Sequence, residues 1–291
     1  MDRPMRGAES TRGRVGGNAP RARRQRVETE LYGRGGGQAD RVLGVVLPGL
    51  TLIALFAFWQ FFVIWRNIPR FIFPRFDDTL LSLRDNWTST IGPNLLITLE
   101  EAGIGFVIGN ALAILGATLF VASRLAERTF FPLAVLIQTV PIIVWSPILV
   151  ITMPTDSLYP QIVIAVLISF FPALVTMTRG LRAVDPLELE LFHVLNASRW
   201  QVYRKLRWPA AIPSLFASLR ITSTLSLIGA IVGDYAGGGQ GLGYQLIAAE
   251  HNTDTAPVMA ITLVATFSGI VVFLVVAAIE RVVLGRRGET A

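Results

Sequence analysis

From residue 42 onward the chain repeats one pattern, a long apolar run followed by a polar break. The runs cover residues 42–65, 94–122, 130–153, 160–178, 214–232 and 257–284. Each is close to or above the roughly 20 residues a helix needs to cross a hydrocarbon core. Apolar positions follow one another without the alternation that a lipid-facing strand would show, so strands are not expected. The pattern predicts an all-α integral membrane fold of six transmembrane helices. A short Pro154-Thr155-Asp156 turn separates the third run from the fourth. Glu100 and Glu101 near the start of the second run are unusual for a segment in lipid.

Composition supports this reading. The 291 residues are 52% hydrophobic and only 16% charged, whereas soluble domains average about 25% charged residues. The mean hydropathy is +0.55. The net charge of +6 would suit a polyanion if it were concentrated on a folded surface. Instead, ten of the 26 basic residues fall between Arg3 and Arg41, ahead of the first run, so no nucleic-acid partner is expected. Residues 1–41, rich in Arg and Gly, read as a disordered basic cytoplasmic tail, solvated or docking on lipid headgroups or a partner. Residues 42–284 form the membrane domain, and 285–291 a second short tail.

Arg and Lys placement sets the orientation. Arg179, Arg182, Arg199, Arg204, Lys205 and Arg207 lie between the fourth and fifth runs, and Arg281, Arg286 and Arg287 at or beyond the sixth. The loops at 154–159 and 233–256 carry no Lys or Arg. Both termini, the 123–129 turn and the 179–213 loop are therefore expected in the cytoplasm. The 66–90 loop disagrees, because it holds Arg66, Arg70, Arg75 and Arg84 and must lie outside.

The 185–208 segment is the most informative stretch. Asp185 suits a helix cap and Pro186 a first helical turn. Leu187, Leu191, Val194 and Leu195 follow as an apolar stripe at helical spacing. Asn196 can take the left-handed conformation that ends a helix, and Ser198 can cap a second one over 199–206. Trp200, Val202, Tyr203 and Leu206 would supply its apolar positions, with Pro209 and Pro213 stopping it. Two short amphipathic helices at an angle, held on rigid stems, suit a groove in another protein or the membrane surface.

This segment resembles the cytoplasmic EAA loop of bacterial ABC importer permeases, in which Glu-Ala-Ala is followed after three residues by Gly and after nine more by Ile-x-Leu-Pro. Here the spacing is kept by Glu190-Leu191-Phe192, then Asn196, then Leu206-Arg207-Trp208-Pro209. The Ala197-Ser198-Arg199-Trp200-Gln201 and Pro209-Ala210-Ala211-Ile212-Pro213-Ser214 runs look like the nitrate/sulfonate/taurine-type branch. So does Gly233-Asp234-Tyr235-Ala236 leading to Gly241-Leu242-Gly243-Tyr244. The resemblance spans about residues 90–284. It implies a type I importer permease of the bacterial inner or plasma membrane, with a cytoplasmic coupling helix-turn-helix. Coupling contacts to a separate ATP-binding subunit would be Glu190, Leu191, Asn196, Ala197, Ser198, Arg199 and Pro209. It further implies a second permease copy or paralogue and an extracytoplasmic substrate-binding protein. Leu191 and Phe192 are bulkier than the family's alanines, which fits one half of a heterodimer.

The chain lacks chemistry of its own. Its single lysine, Lys205, precedes Leu206, so no phosphate-binding Gly-Lys-Ser/Thr exists. No cofactor is expected here, because ATP and Mg would sit on the partner subunit. There are no cysteines, and only His193 and His251, placed on opposite sides of the membrane by the loop reading, so neither a metal site nor a catalytic constellation is expected. The Gly237-Gly238-Gly239-Gln240-Gly241 run reads as a tight outward loop.

Polar residues within the runs are the pathway candidates. These are Gln138, Pro141 and Trp145 in the third run, Ser223 in the fifth, and Asp234 at its outer end. Pro141 and Pro147 would break the helix ladder and free carbonyls toward a pore. Thr222, Thr224 and Ser226 are read as bonding their own or a neighbouring helix. The substrate expected by resemblance is a sulfonate- or nitrate-like anion or a pyrimidine-type vitamin precursor, the last suggested by Gln138-Thr139-Val140-Pro141. A passive channel or scaffold is the rival reading, and an intramembrane enzyme lacks the necessary residues.

Overall fold

The computed structural model describes residues 38–153, 158–237 and 239–285, with side chains described from residue 46. Most of the expected N-terminal tail, the 154–156 turn, Gly238 and residues 286–291 lie outside the described residues. All described secondary structure is helical. Among the described residues five helices are long and apolar enough to cross a membrane, and a bent pair makes a sixth if counted as one span.

The chain divides into two units, Met1–Phe61 and Phe62–Ala291. The first contains most of α1 (Gln38–Trp65), with Pro48 inside the helix. Along it Leu47, Leu50, Ile53 and Phe58 are all exposed. An apolar helix of this length suits a lipid surrounding.

In the second unit the turn at Asn67 is followed by α2 (Phe76–Asn86) and α3 (Gly92–Ala122). These join through a π-helical turn at Trp87–Ile91 into one helical rod, Phe76–Ala122. The turn has a local cause. Pro93 has no N–H to give the carbonyl four residues back, so the helix widens just ahead of it and Gly92 N–H reaches the Trp87 carbonyl. Part of the expected 66–90 loop is therefore helix.

The expected third span is broken. It consists of α4 (Arg124–Thr139) and α5 (Ile142–Thr152), which meet at 93°. Val140 (ψ 124°) is extended, as the residue before a proline is forced to be, and Pro141 (φ −55°, ψ 127°) leaves the helical region as well. Pro141 makes the predicted break. Pro147 does not, because α5 continues through it.

Next come α6 (Tyr159–Arg182) and α7 (Pro186–Val194), then α8 (Arg199–Val202), a second π-helical turn at Tyr203–Arg207, and α9 (Trp208–Ala210). The helix expected over 199–206 is not stopped at Pro209. The second π-turn lies just ahead of Pro209, as the first does ahead of Pro93, and Trp208 N–H bonds the Tyr203 carbonyl. Pro209 and Pro213 each occupy the first turn of a helix, the latter in α10 (Ile212–Tyr235). The unit closes with α11 (Leu242–His251) and α12 (Thr255–Gly285).

Helices α3, α6 and α10 make the most extensive mutual contacts and form the centre of the unit. Small residues permit this closeness. A Cβ on Gly229 would lie 2.8 Å from Ala165 Cα, and one on Gly233 2.9 Å from Gln161 Cα. One apolar cluster (Ala113, Ala117, Phe120, Leu174, Met177, Leu181) underlies the loop-bearing end. Another (Ile91, Leu242, Ile261, Val264) lies where α11 and α12 pack with the start of α3.

Candidate functional site

The 183–211 segment is built from local signals and then braced to the helices beneath it. Asp185 Oδ1 accepts Leu187 N–H at 2.8 Å, capping α7, with Pro186 in its first turn. Asn196 takes φ +52°, and Ala197 N–H reaches back to the Phe192 carbonyl at 3.0 Å. Ser198 and Gln201 then form a reciprocal capping box: Ser198 N–H donates to Gln201 Oε1 and Gln201 N–H to Ser198 Oγ. Two caps around one left-handed residue fix the angle between α7 and α8.

Among the described residues the apolar stripe of this element is uncovered, apart from a ring contact between Trp200 and Tyr203. Leu187, Leu191, Val194, Leu195 and Trp200 are exposed by 72, 56, 78, 67 and 65%. Glu190, Ser198, Arg199 and Pro209 are exposed as well. The stems, by contrast, are tied down. Arg207 Nη1 donates to the Leu181 carbonyl at 2.9 Å, and Arg182 pairs with Glu127 of α4 through two bonds of 2.8 and 2.6 Å. Tyr203 stacks against Trp200 at 5.7 Å, and its hydroxyl lies 2.8 Å from Thr118 of α3. This is a rigid mount carrying an uncovered apolar face.

The pathway candidates do not form one cluster. Gln138 and Pro141 come together in a pocket of about 230 Å³ at the α4–α5 bend, closed on its other side by Leu167 and Ile168 of α6. Both are exposed, while Trp145 is half-buried on α5. Ser223 is buried and bonds its own helix at the Arg220 carbonyl.

Asp234 is fully buried and serves as a bracket. Its Oδ2 accepts Thr98 Oγ1 at 2.8 Å and Gly243 N–H at 3.4 Å. Thr98 Oγ1 in turn accepts Leu242 N–H, and Asn94 Oδ1 accepts Gly241 N–H, each at 2.8 Å. The first turn of α11, whose N–H groups have no helical partners, is thereby sewn to α3 and α10. Gly241 (φ +89°) and Gly243 allow it, since a Cβ on either would collide with Asp234 or its neighbours. Glu101 lies beside this bracket, fully buried, with neither carboxyl oxygen bonded to a donor among the described residues.

Sequence reasoning did not single out Asn94, Thr98, Asn110 or Thr118. Asn110 and Thr222 bond across α3 and α10 at 3.0 Å. The available signal was spacing, because Asn94, Thr98 and Glu101 lie at i, i+4 and i+7 on one face of an otherwise apolar helix. Among the described residues no group of three His, Cys, Asp or Glu side chains could hold a metal.

Residues 109–285 match the family described as binding-protein-dependent transport system inner membrane component. The chain is 29% identical over 237 residues to the formylaminopyrimidine transport permease protein ThiX of Halalkalibacterium halodurans, covering 81% of this chain and 94% of that one. It is 28% identical to the putative aliphatic sulfonates transport permease protein SsuC of Bacillus subtilis, covering 63% of each. Its fold is similar to that of a chain in the inward-facing MetNI methionine ABC transporter (TM-score 0.59, 16% identity, covering 68% of this chain and 97% of that one). The chain belongs to the family of binding-protein-dependent transport system inner membrane components and is a multi-pass permease subunit of an ABC importer.

Proposed function

We propose that the 185–208 element docks in a cleft of a separate ATP-binding subunit and carries its movement to the membrane helices. Leu191 would be the central apolar contact. Glu190, Asn196, Ser198 and Arg199 would form the polar surround, with the small Ala197 at the turn and Pro209 on the return stem. The observation that carries this reading is the uncovered stripe from Leu187 to Trp200 on a doubly capped, braced mount. An exposed apolar face on a rigid scaffold is what a helix-in-groove contact requires.

In the same reading both termini and this element face the cytoplasm, ATP and Mg bind the partner subunit, and this chain catalyses nothing. It pairs with a second permease copy or a paralogue. A substrate-binding protein delivers solute to the opposite face, and the bend at Val140–Pro141 borders the path. The solute is a small polar heterocycle of the pyrimidine type. Support comes from identity and coverage together: 29% over 81% of this chain for the formylaminopyrimidine permease, against 28% over 63% for the sulfonate permease and 22% over 82% for the nitrate import permease protein NrtB of Synechocystis.

The test is ATP-driven uptake by the reconstituted complex with Glu190→Arg. Uptake is expected to collapse while the chain still folds and inserts. Unchanged uptake would reject the coupling assignment.

A further inference from the structure

At the end of the bundle from which the 183–211 loop springs, a cleft of about 500 Å³ is lined by Phe120, Val121, Arg124, Glu127, Arg128, Arg182 and Arg207. Four guanidinium groups meet one carboxylate there, a surplus of three positive charges. Glu127 is already engaged by Arg182, whose Nη2 also reaches the Phe120 carbonyl at 3.4 Å. Arg207 has one nitrogen on the Leu181 carbonyl. Arg124 and Arg128 form no ion pair among the described residues and are exposed at the rim.

We propose that this cleft binds the phosphate of an anionic phospholipid headgroup. Three observations point to that chemistry. First, the guanidinium fork matches two phosphate oxygens at once, and a cleft with several forks and one already neutralised acid selects an anion with more than one acceptor oxygen. Second, the cleft lies where the apolar bands stop: α3 ends at Ala122, α4 starts at Arg124 and α6 ends at Arg182. That border is the level of headgroup phosphates, and basic pockets between membrane helices there are suited to such headgroups. Third, Val121 at the cleft is only half-buried, so the glycerol and first acyl carbons beneath a phosphate find an apolar contact there that a bare inorganic anion cannot use, while Phe120, buried in the core, offers its carbonyl.

The consequence is mechanical. Arg182 is the last residue of α6 and Arg207 stands on the return stem, so a bound headgroup touches both roots of the loop and the start of α4 together. It would stiffen the mount from a third side without contacting the apolar stripe.

The experiment uses the full chain in vesicles of phosphatidylcholine alone or phosphatidylcholine mixed with cardiolipin, reading retained cardiolipin by native mass spectrometry and the thermal midpoint. Cardiolipin is expected to remain bound and to raise the midpoint. Arg124→Gln with Arg128→Gln should lower its apparent affinity about 30-fold, at roughly 1 kcal/mol per arginine near a charged surface. Its midpoint in phosphatidylcholine alone should stay that of the parent, which separates lost binding from misfolding. Arg124→Lys with Arg128→Lys, which keeps charge and loses the fork, should fall between. Unchanged retention in the glutamine variant overturns the site. Equal loss in Arg84→Gln with Arg281→Gln, the same charge removed elsewhere, also overturns it, because attraction would then be non-specific. If inorganic phosphate in phosphatidylcholine vesicles raises the midpoint as much as cardiolipin does, the lipid source is overturned.

Discussion

The Tyr203 hydroxyl and Thr118 Oγ1 share a hydrogen bond of 2.8 Å that joins the 183–211 loop to α3 across 85 residues of sequence. The direction of the bond follows from proton count. Thr118 has one hydroxyl hydrogen, and it already bonds the Ile114 carbonyl at 2.8 Å. Tyr203 is held in place by Trp200 on one side and Trp208 at 6.3 Å on the other. Movement at the exposed stripe therefore has a direct polar link to α3 as well as the covalent stems.

Tyr203→Phe keeps the ring and removes only that link. The expected loss of stability is about 1 kcal/mol, the net worth of one ordinary hydrogen bond. In the reconstituted complex ATP hydrolysis should continue while solute imported per ATP falls. An unchanged ratio would show that the bond holds the loop but transmits nothing.

Leu191→Asp tests the stripe itself. Leu191 is 56% exposed in the chain, so the substitution should change the thermal midpoint little, within the roughly 0.5 kcal/mol usual for surface positions. Affinity for the ATP-binding subunit should fall at least about 30-fold, the scale of an interface anchor worth 2 kcal/mol. Pull-down of the two purified subunits reads the difference, and intact association would remove Leu191 from the interface.

Asp234 and Gly243 make a different kind of prediction. Asp234→Ala leaves Gly243 N–H without its buried acceptor and the Thr98 hydroxyl with the Asn94 carbonyl alone at 3.1 Å, a loss of about 1–3 kcal/mol. Gly243→Ala forces a methyl to within 2.5 Å of Tyr235 N and 2.7 Å of Asp234 Cβ, and overpacking of that kind costs about 1–3 kcal/mol. Both should lower the thermal midpoint, and uptake should fall in proportion to folded protein. A normal midpoint with abolished uptake would return Asp234 to the solute path.

These residues also mark what the sequence could and could not reveal. Length and continuity of the apolar runs determine which segments are helices, because few other arrangements satisfy a backbone in lipid. The caps at Asp185, Asn196 and Ser198 were legible for a similar reason, since each acts within four residues. Proline was only partly legible. Pro141 ends a helix, Pro147 sits inside one, and Pro93 and Pro209 are each preceded by a π-turn that absorbs the missing bond. Which outcome prevails depends on whether neighbouring packing favours a continuous rod, and that is tertiary information. Asp234 was legible as a costly polar residue but not as a bracket, because its partners Thr98 and Gly243 are set by the crossing of α3, α10 and α11. The exposed candidates Gln138 and Pro141, seven and four residues from Trp145 in sequence, share a pocket that Trp145 does not line, because the chain turns by 93° at the bend.

That turn makes the last prediction the sharpest test of the path. Gln138 is exposed at the lip of the bend and its side chain is available to a solute, whereas Ser223 and Asp234 already have partners. Gln138→Ala should leave the thermal midpoint and ATP hydrolysis unchanged, because no described hydrogen bond is lost. It should raise the solute concentration for half-maximal uptake about tenfold, the worth of one polar contact near 1.4 kcal/mol. Pro141→Ala restores an N–H and relaxes the extended constraint on Val140, so α4 and α5 gain access to a straighter arrangement. Its maximal uptake rate should fall while half-saturation changes less, since it alters the shape of the path more than a contact in it. If both variants transport normally, the bend is a folding feature only and the path runs elsewhere between α3, α6 and α10.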